Sequence, residues 1–174
     1  MKDILSKPCR KADVNGIART CLGDPVLLDS LVTLVVDNDP VYSHRSSWAL
    51  NVAVKDLGVS VVKYYPALID LLLKDKVGSG VDRNLLHILE LKHMKEDDQG
   101  FFVDRCFTFL EDPNCAVAVR CLAMYHLRDF AANNQELISE LIAFLDMDLV
   151  EEKAAFRAAK RKVLKELQHI EKRK

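Results

Sequence analysis

The sequence predicts an all-α fold, an α-solenoid of about four antiparallel helix pairs behind an N-terminal capping helix, and three observations carry that prediction. An arginine early in a helical segment recurs as Arg45, Arg83, Arg120 and Arg157, in steps of 38, 37 and 37 residues. An aspartate precedes each by eight or nine residues, as Asp37, Asp75, Asp112 and Asp148, and closes an apolar run such as Leu34-Val35-Val36 or Phe109-Leu110. Strand-like alternation of any length is absent, so each repeat reads as two helices around an acidic turn. The whole chain, 1–174, reads as one domain, with a cap at 1–23 and repeats at 24–58, 59–94, 95–132 and 133–174.

Residues 1–9 are polar and broken by Pro8, and Arg10–Leu22 predicts a short helix stopped by Gly23. Asp24-Pro25 opens the next helix: aspartate accepts from free backbone N–H groups, and proline at the first position has no N–H to leave unpaired. Leu27, Leu28, Leu31, Leu34 and Val35 then share one face as far as Val36. After the turn Asp37-Asn38-Asp39-Pro40 a second helix is expected from Val41 to Leu57, ended by Gly58.

In the second repeat a helix is expected to start within a turn of Pro66, because proline inside a helix removes a hydrogen bond and kinks it. Ser79 with Asp82 resembles a capping box for a helix carrying Val81, Leu85, Ile88, Leu89 and Met94. Lys95-Glu96-Asp97-Asp98 reads as a loop, followed by Gln99–Glu111, a turn at Asp112-Pro113-Asn114, and Cys115–Ala131. The fourth repeat pairs Gln135–Leu145 with a long helix from about Leu149, whose Phe156, Val163, Leu167 and Ile170 form one buried stripe on an otherwise basic surface. In all, nine helices are expected.

Composition narrows the function more than it names it. The 174 residues are 49% apolar, enough for a sizeable core, and the formal charge is −1. That charge is unevenly placed: residues 151–174 carry nine Lys/Arg against four Glu, a balance of +5 that leaves −6 on the remainder. Five cysteines with no C-x-x-C pair indicate neither a disulfide framework nor a zinc knuckle. The first twenty residues lack the apolar run of a signal peptide, and no window approaches the ~18 apolar residues of a membrane span, so a cytoplasmic protein with free thiols is expected.

With the Asp-Pro starts at Asp39-Pro40 and Asp112-Pro113, the four arginines in register, and the small residues Ala49, Ala123 and Ala159, the chain resembles the HEAT and HEAT-like repeat proteins over roughly residues 24–172. Within that class it is most similar to a group of small bacterial proteins with a Pro/Leu/Leu first helix, a D-x-D turn and an R-x-x-W second helix. Pro25–Leu28, Asp37–Asp39 and Arg45 with Trp48 match that pattern. The match is uneven, since Ala123 and Lys160 stand where Trp48 stands in the first repeat, and the second repeat has no Asp-Pro start.

The resemblance implies that the series Asp37/Arg45, Asp75/Arg83, Asp112/Arg120 and Asp148/Arg157 is a structural ladder, each planar guanidinium meeting a carboxylate. A ligand-binding row of arginines on the concave face is the other reading. Trp48, at helical spacing, reads as core or as an interface anchor close to Tyr42 and His44. His87, Tyr125, Lys160 and Arg161 complete the candidate binding residues, the last two from the basic C-terminal helix.

No metal site is expected, because no two of the five histidines share i, i+4 spacing on one helix. Neither a nucleophile elbow nor a glycine-rich phosphate loop occurs, so no catalytic residue and no cofactor are expected. The sequence therefore favours a non-enzymatic module that binds a protein or peptide. The alternative is a DNA-binding or DNA-repair protein similar to the alkylation-repeat glycosylases, against which the basic footprint is confined to the last helix.

Overall fold

A computed structural model describes residues 1–75, 77–147 and 153–172. Among them are ten α-helices, two short 3-10 turns and no strand, and the chain divides into two compact units, Met1–Asp98 and Gln99–Lys174.

The first unit begins with a helix that sequence periodicity does not reveal, α1 (Lys2–Leu5), only four residues long. Its stability is tertiary, because Leu5 is fully buried and its carbonyl accepts from Arg45 Nη1 at 2.7 Å. The helix α2 (Lys11–Thr20) follows, its first turn held by Asp13 Oδ2 accepting from the Arg10 N–H at 2.8 Å. Gly23, at φ +80°, turns the chain into α3 (Pro25–Val36), where Asp24 Oδ1 accepts from the N–H groups of Val26 and Leu27 at 3.0 Å each. The Asp-Pro start is thus a working cap. Asn38, at φ 52°, makes the sharp turn, and Asp39 Oδ1 accepts from the Val41 N–H at 2.7 Å.

The next helix, α4 (Ser43–Lys55), starts two residues later than expected, after the turn closed by Asp39. A 3-10 turn at Val62–Tyr64 leads into α5 (Tyr65–Leu73), with Pro66 in its first turn as the sequence predicts. The helix α6 (Ser79–Ile88) corrects two expectations. Ser79 is its first residue rather than its cap, since Gly78 takes the capping position at φ +104° with no side-chain bond. The helix also ends before Leu89 and Met94, which are buried around a second 3-10 turn at Leu91–His93.

Within this unit α2, α4 and α6 lie side by side, with α3 against α4 and α5 against both α3 and α6. The second-helix layer is parallel: Ser47 meets Asn84 and, two turns on, Lys55 meets Glu90. Ala49, the small residue expected to permit close approach, is fully buried.

The second unit is built from α7 (Glu96–Glu111), α8 (Val117–Ala131), α9 (Gln135–Asp146) and α10 (Ala154–Glu171). The run Glu96-Asp97-Asp98, expected as a loop, is the first turn of α7, where carboxylates complement the positive end of the helix dipole. Helix α8 begins at Val117 rather than Cys115, and α10 at Ala154; residues 148–152, where its start was expected, lie outside the described residues.

Phe102 meets His126 edge-on with centroids 5.0 Å apart, while the Leu110 carbonyl accepts from Arg120 Nη2 at 2.9 Å, so α7 runs antiparallel to α8. Helix α9 packs on both α8 and α10. Phe102 and Phe156 are the largest fully buried side chains here, and Ala123 and Ala159 are again buried.

Candidate functional site

Two of the four arginines, Arg45 and Arg120, do not meet the carboxylates expected of a ladder. Arg45 and Arg120 donate to backbone carbonyls, of Leu5 at the end of α1 and of Leu110 at the end of α7. Lys160 does the same, its Nζ donating at 3.1 Å to the carbonyl of Met147, the residue that caps α9. The reason lies in which groups need a partner. The last carbonyls of a helix have none within it, and when buried they cost free energy unless a donor reaches them.

The aspartates occupy turns open to water instead. Asp37, Asp75 and Asp112 are exposed, and Asp112 Oδ1 accepts from the Asn114 N–H within its own turn. Asp148 lies outside the described residues, and Arg83 and Arg157 are exposed. The recurring arginine therefore marks, in two of the four repeats, a clasp on a helix end. Burial is deepest at Arg120, whose guanidinium lies 4.1 Å over the Phe156 ring and whose Nε has no hydrogen-bond partner apart from that ring face.

What remains open on the second helices forms two faces. On α4 the residues turned outward are His44, Trp48, Asn51 and Lys55, spaced by four, three and four, and on α6 they are Gly80, Arg83 and His87. Trp48 is half-buried, so it is neither pure core nor a free anchor. Buried polar contacts lock the two helices together beneath it: Asn84 Nδ2 donates to Ser47 Oγ at 3.0 Å, and Ser47 Oγ donates to the His44 carbonyl at 2.9 Å. The imidazole of His44 lies against Gly80, where an added Cβ would stand 2.5 Å from its Cδ2.

At the far end Lys55 pairs with Glu90 at 2.9 Å, and Lys92 reaches the other Glu90 oxygen at 3.0 Å. Hydrogen bonds from Lys55 and Lys92 hold the Glu90 carboxyl at about 2. Burial, then the charges of Arg83 and Lys55, lower the His87 pKa, so its imidazole is neutral at physiological pH. Tyr42 stands apart from Trp48: half-buried, it meets Lys2 Nζ at 5.9 Å from its ring.

Asn51 and Lys55 were not singled out as binding residues by sequence reasoning, although they follow Trp48 by three and seven residues and so share its helix face, whereas Arg83 entered through the arginine-row reading. Asn51 Oδ1 is buried without a hydrogen-bond partner.

The second face belongs to α8 and α10. Tyr125 is half-buried, with Arg128 5.3 Å and Lys162 5.7 Å from its ring centre, and Arg128 Nη1 donates to Glu166 at 2.8 Å. Arg161 is exposed, whereas Lys160 is already committed to the end of α9 and cannot serve as a free binding residue. Among the described residues no group of histidine, cysteine and carboxylate side chains is arranged to hold a metal ion. All five cysteines are free thiols, and burial pushes Cys106 far above the ordinary thiol range.

Helix pairs of about 37 residues, parallel second helices and buried alanines at the crossing points are the features of one repeat class, and the HEAT repeat domain family matches residues 1–167. The chain belongs to the HEAT repeat domain family. No curated protein and no solved structure shows significant similarity to it. HEAT membership points to a helical-repeat scaffold or protein-interaction module. No helix among the described residues is long and apolar enough to cross a membrane.

Proposed function

We propose that this HEAT repeat protein is a non-enzymatic, cytoplasmic module that binds an extended segment of another protein along the second-helix face of its first unit. The observation that carries this reading is Trp48, the only tryptophan, left half-buried at the centre of the His44, Asn51, Lys55, Arg83 and His87 face. A tryptophan in that setting offers a large amphipathic surface with little conformational freedom to lose, which is why such residues dominate binding energy at interfaces. The neutral His87 imidazole, exposed on the same face, supplies hydrogen-bonding capacity beside it.

Affinity capture from native cell extract, run in parallel with the Trp48→Ala/His87→Ala double variant, tests the reading. A protein retained by the parent chain and lost from a variant of unchanged helical circular dichroism is the expected result. Equal capture by a folded double variant overturns it.

A further inference from the structure

The proposed Trp48 face leaves the basic surface of the second unit unexplained, and different residues carry it. Along α10 the side chains of Lys162, Lys165, Glu166, Gln168, His169 and Lys172 line a groove of about 590 Å³. Lys162, Lys165, His169 and Lys172 fall within one arc of the helix, opposite the buried Phe156, Val163 and Leu167. Among the described residues the one carboxylate lining that groove, Glu166, is already bonded to Arg128, and no carboxylate pairs with Lys162, Lys165 or Lys172. The Tyr125 ring lies 5.7 Å from Lys162, one of the groove residues, and 5.3 Å from Arg128.

We propose that this α8–α10 face docks an acidic peptide segment, a short run of Asp and Glu side chains lying along Lys162, Lys165 and Lys172 with an apolar neighbour on Tyr125. Charge complementarity selects the occupant. Three uncompensated ammonium groups over ten residues of helix span about 15 Å, the length of four or five extended residues. A peptide can place a neutral residue opposite Glu166 and Asp129, whereas a nucleic acid presents a phosphate at every step and meets both carboxylates. One aromatic ring is also short of the stacking platform that single strands use.

The test is fluorescence anisotropy of the full chain with a labelled twelve-residue Glu/Asp peptide, its Gln/Asn counterpart and a labelled twelve-nucleotide oligo-dT, at 20 and 200 mM salt. The acidic peptide is expected to bind at low salt and weaken at high salt. The Lys162→Gln/Lys165→Gln/Lys172→Gln variant, altered only on the exposed arc, is expected to lose about tenfold in affinity. The Trp48→Ala/His87→Ala variant should bind this peptide undiminished, so the fate of the first face is read separately. Absence of binding at low salt, equal binding of the Gln/Asn peptide, or an unchanged affinity in the triple variant overturns the proposal. Tighter binding of oligo-dT than of the acidic peptide overturns it in favour of nucleic acid.

Discussion

Arg120 gathers three roles in one side chain: it closes the end of α7, stacks on the Phe156 ring and carries a charge into the core of the second unit. Truncation leaves the Leu110 carbonyl without its donor and the ring without its cation, so Arg120→Ala is expected to cost about 3 kcal/mol in urea unfolding. Arg120→Lys should recover only part of that loss, because an ammonium group cannot lie flat on a ring while reaching the carbonyl.

Glu90 gives a residue-level pH dependence whose sign follows from its pKa. The group is held at about 2 when folded, below the ordinary glutamate value of 4.5, so the folded state binds the proton more weakly. The stabilisation is therefore present above pH 4.5 and lost as pH falls towards 2. With 37% of the side chain exposed, solvent screening limits the contribution to about 1 kcal/mol or less. In urea midpoints measured from pH 6 to pH 2.5, Glu90→Gln should flatten the acid-side decline relative to the parent chain.

At the scale of the helix the informative contact is His44 over Gly80. Glycine in a helical turn is weaker than alanine by up to about 1 kcal/mol, so its presence in the first turn of α6 is a cost that the close approach of α4 explains. A double-mutant cycle makes the claim quantitative. Gly80→Ala should destabilise the parent chain, because the new Cβ displaces the imaginably close imidazole ring, yet stabilise the His44→Ala background, where the space is open. Additive effects in thermal melts would mean that the ring moves aside without cost. The Asn84 to Ser47 bond beneath it fixes the same pair of helices in register, each group satisfying the other in a buried position.

For the whole molecule, the division at Asp98 and Gln99 places the only tryptophan in one unit and the Arg120 clasp in the other. Tryptophan emission consequently reports on the first unit, whereas far-ultraviolet circular dichroism sums over the helices of both. In urea the Arg120→Ala variant should lower the circular dichroism midpoint while moving the tryptophan midpoint much less. A shift of equal size in both signals would show that the units unfold as one.

The repeat class was legible in the sequence because it rests on local, periodic signals. Asp24-Pro25, Pro66 and Gly58 act on their own backbone neighbours, and apolar residues three and four apart select a buried face wherever that face later packs. Missed elements share one cause, which is that a distant partner stabilises them. The four residues of α1 owe their helix to Leu5 burial and to a donor forty positions away, and the acidic start of α7 reads as solvent-facing charge until it is seen as a helix N-terminus. Of the candidate site, Trp48, His44 and His87 were found from residue type and Arg83 from the arginine series, whereas Asn51 and Lys55 became part of it only when α4 and α6 were set side by side.

The arginine series shows where the two kinds of information part. Sequence alone determined the longer helices and the period of about 37 residues, because these depend on near neighbours along the chain. Tertiary structure alone decided that Arg45 and Arg120 hold helix ends instead of aspartates, and that Lys160 is spent in the same way while Lys162 is not. The physical reason is that a long cation goes to whichever helix-end carbonyl without a partner lies within its reach, and which ends come within reach is a property of the folded chain.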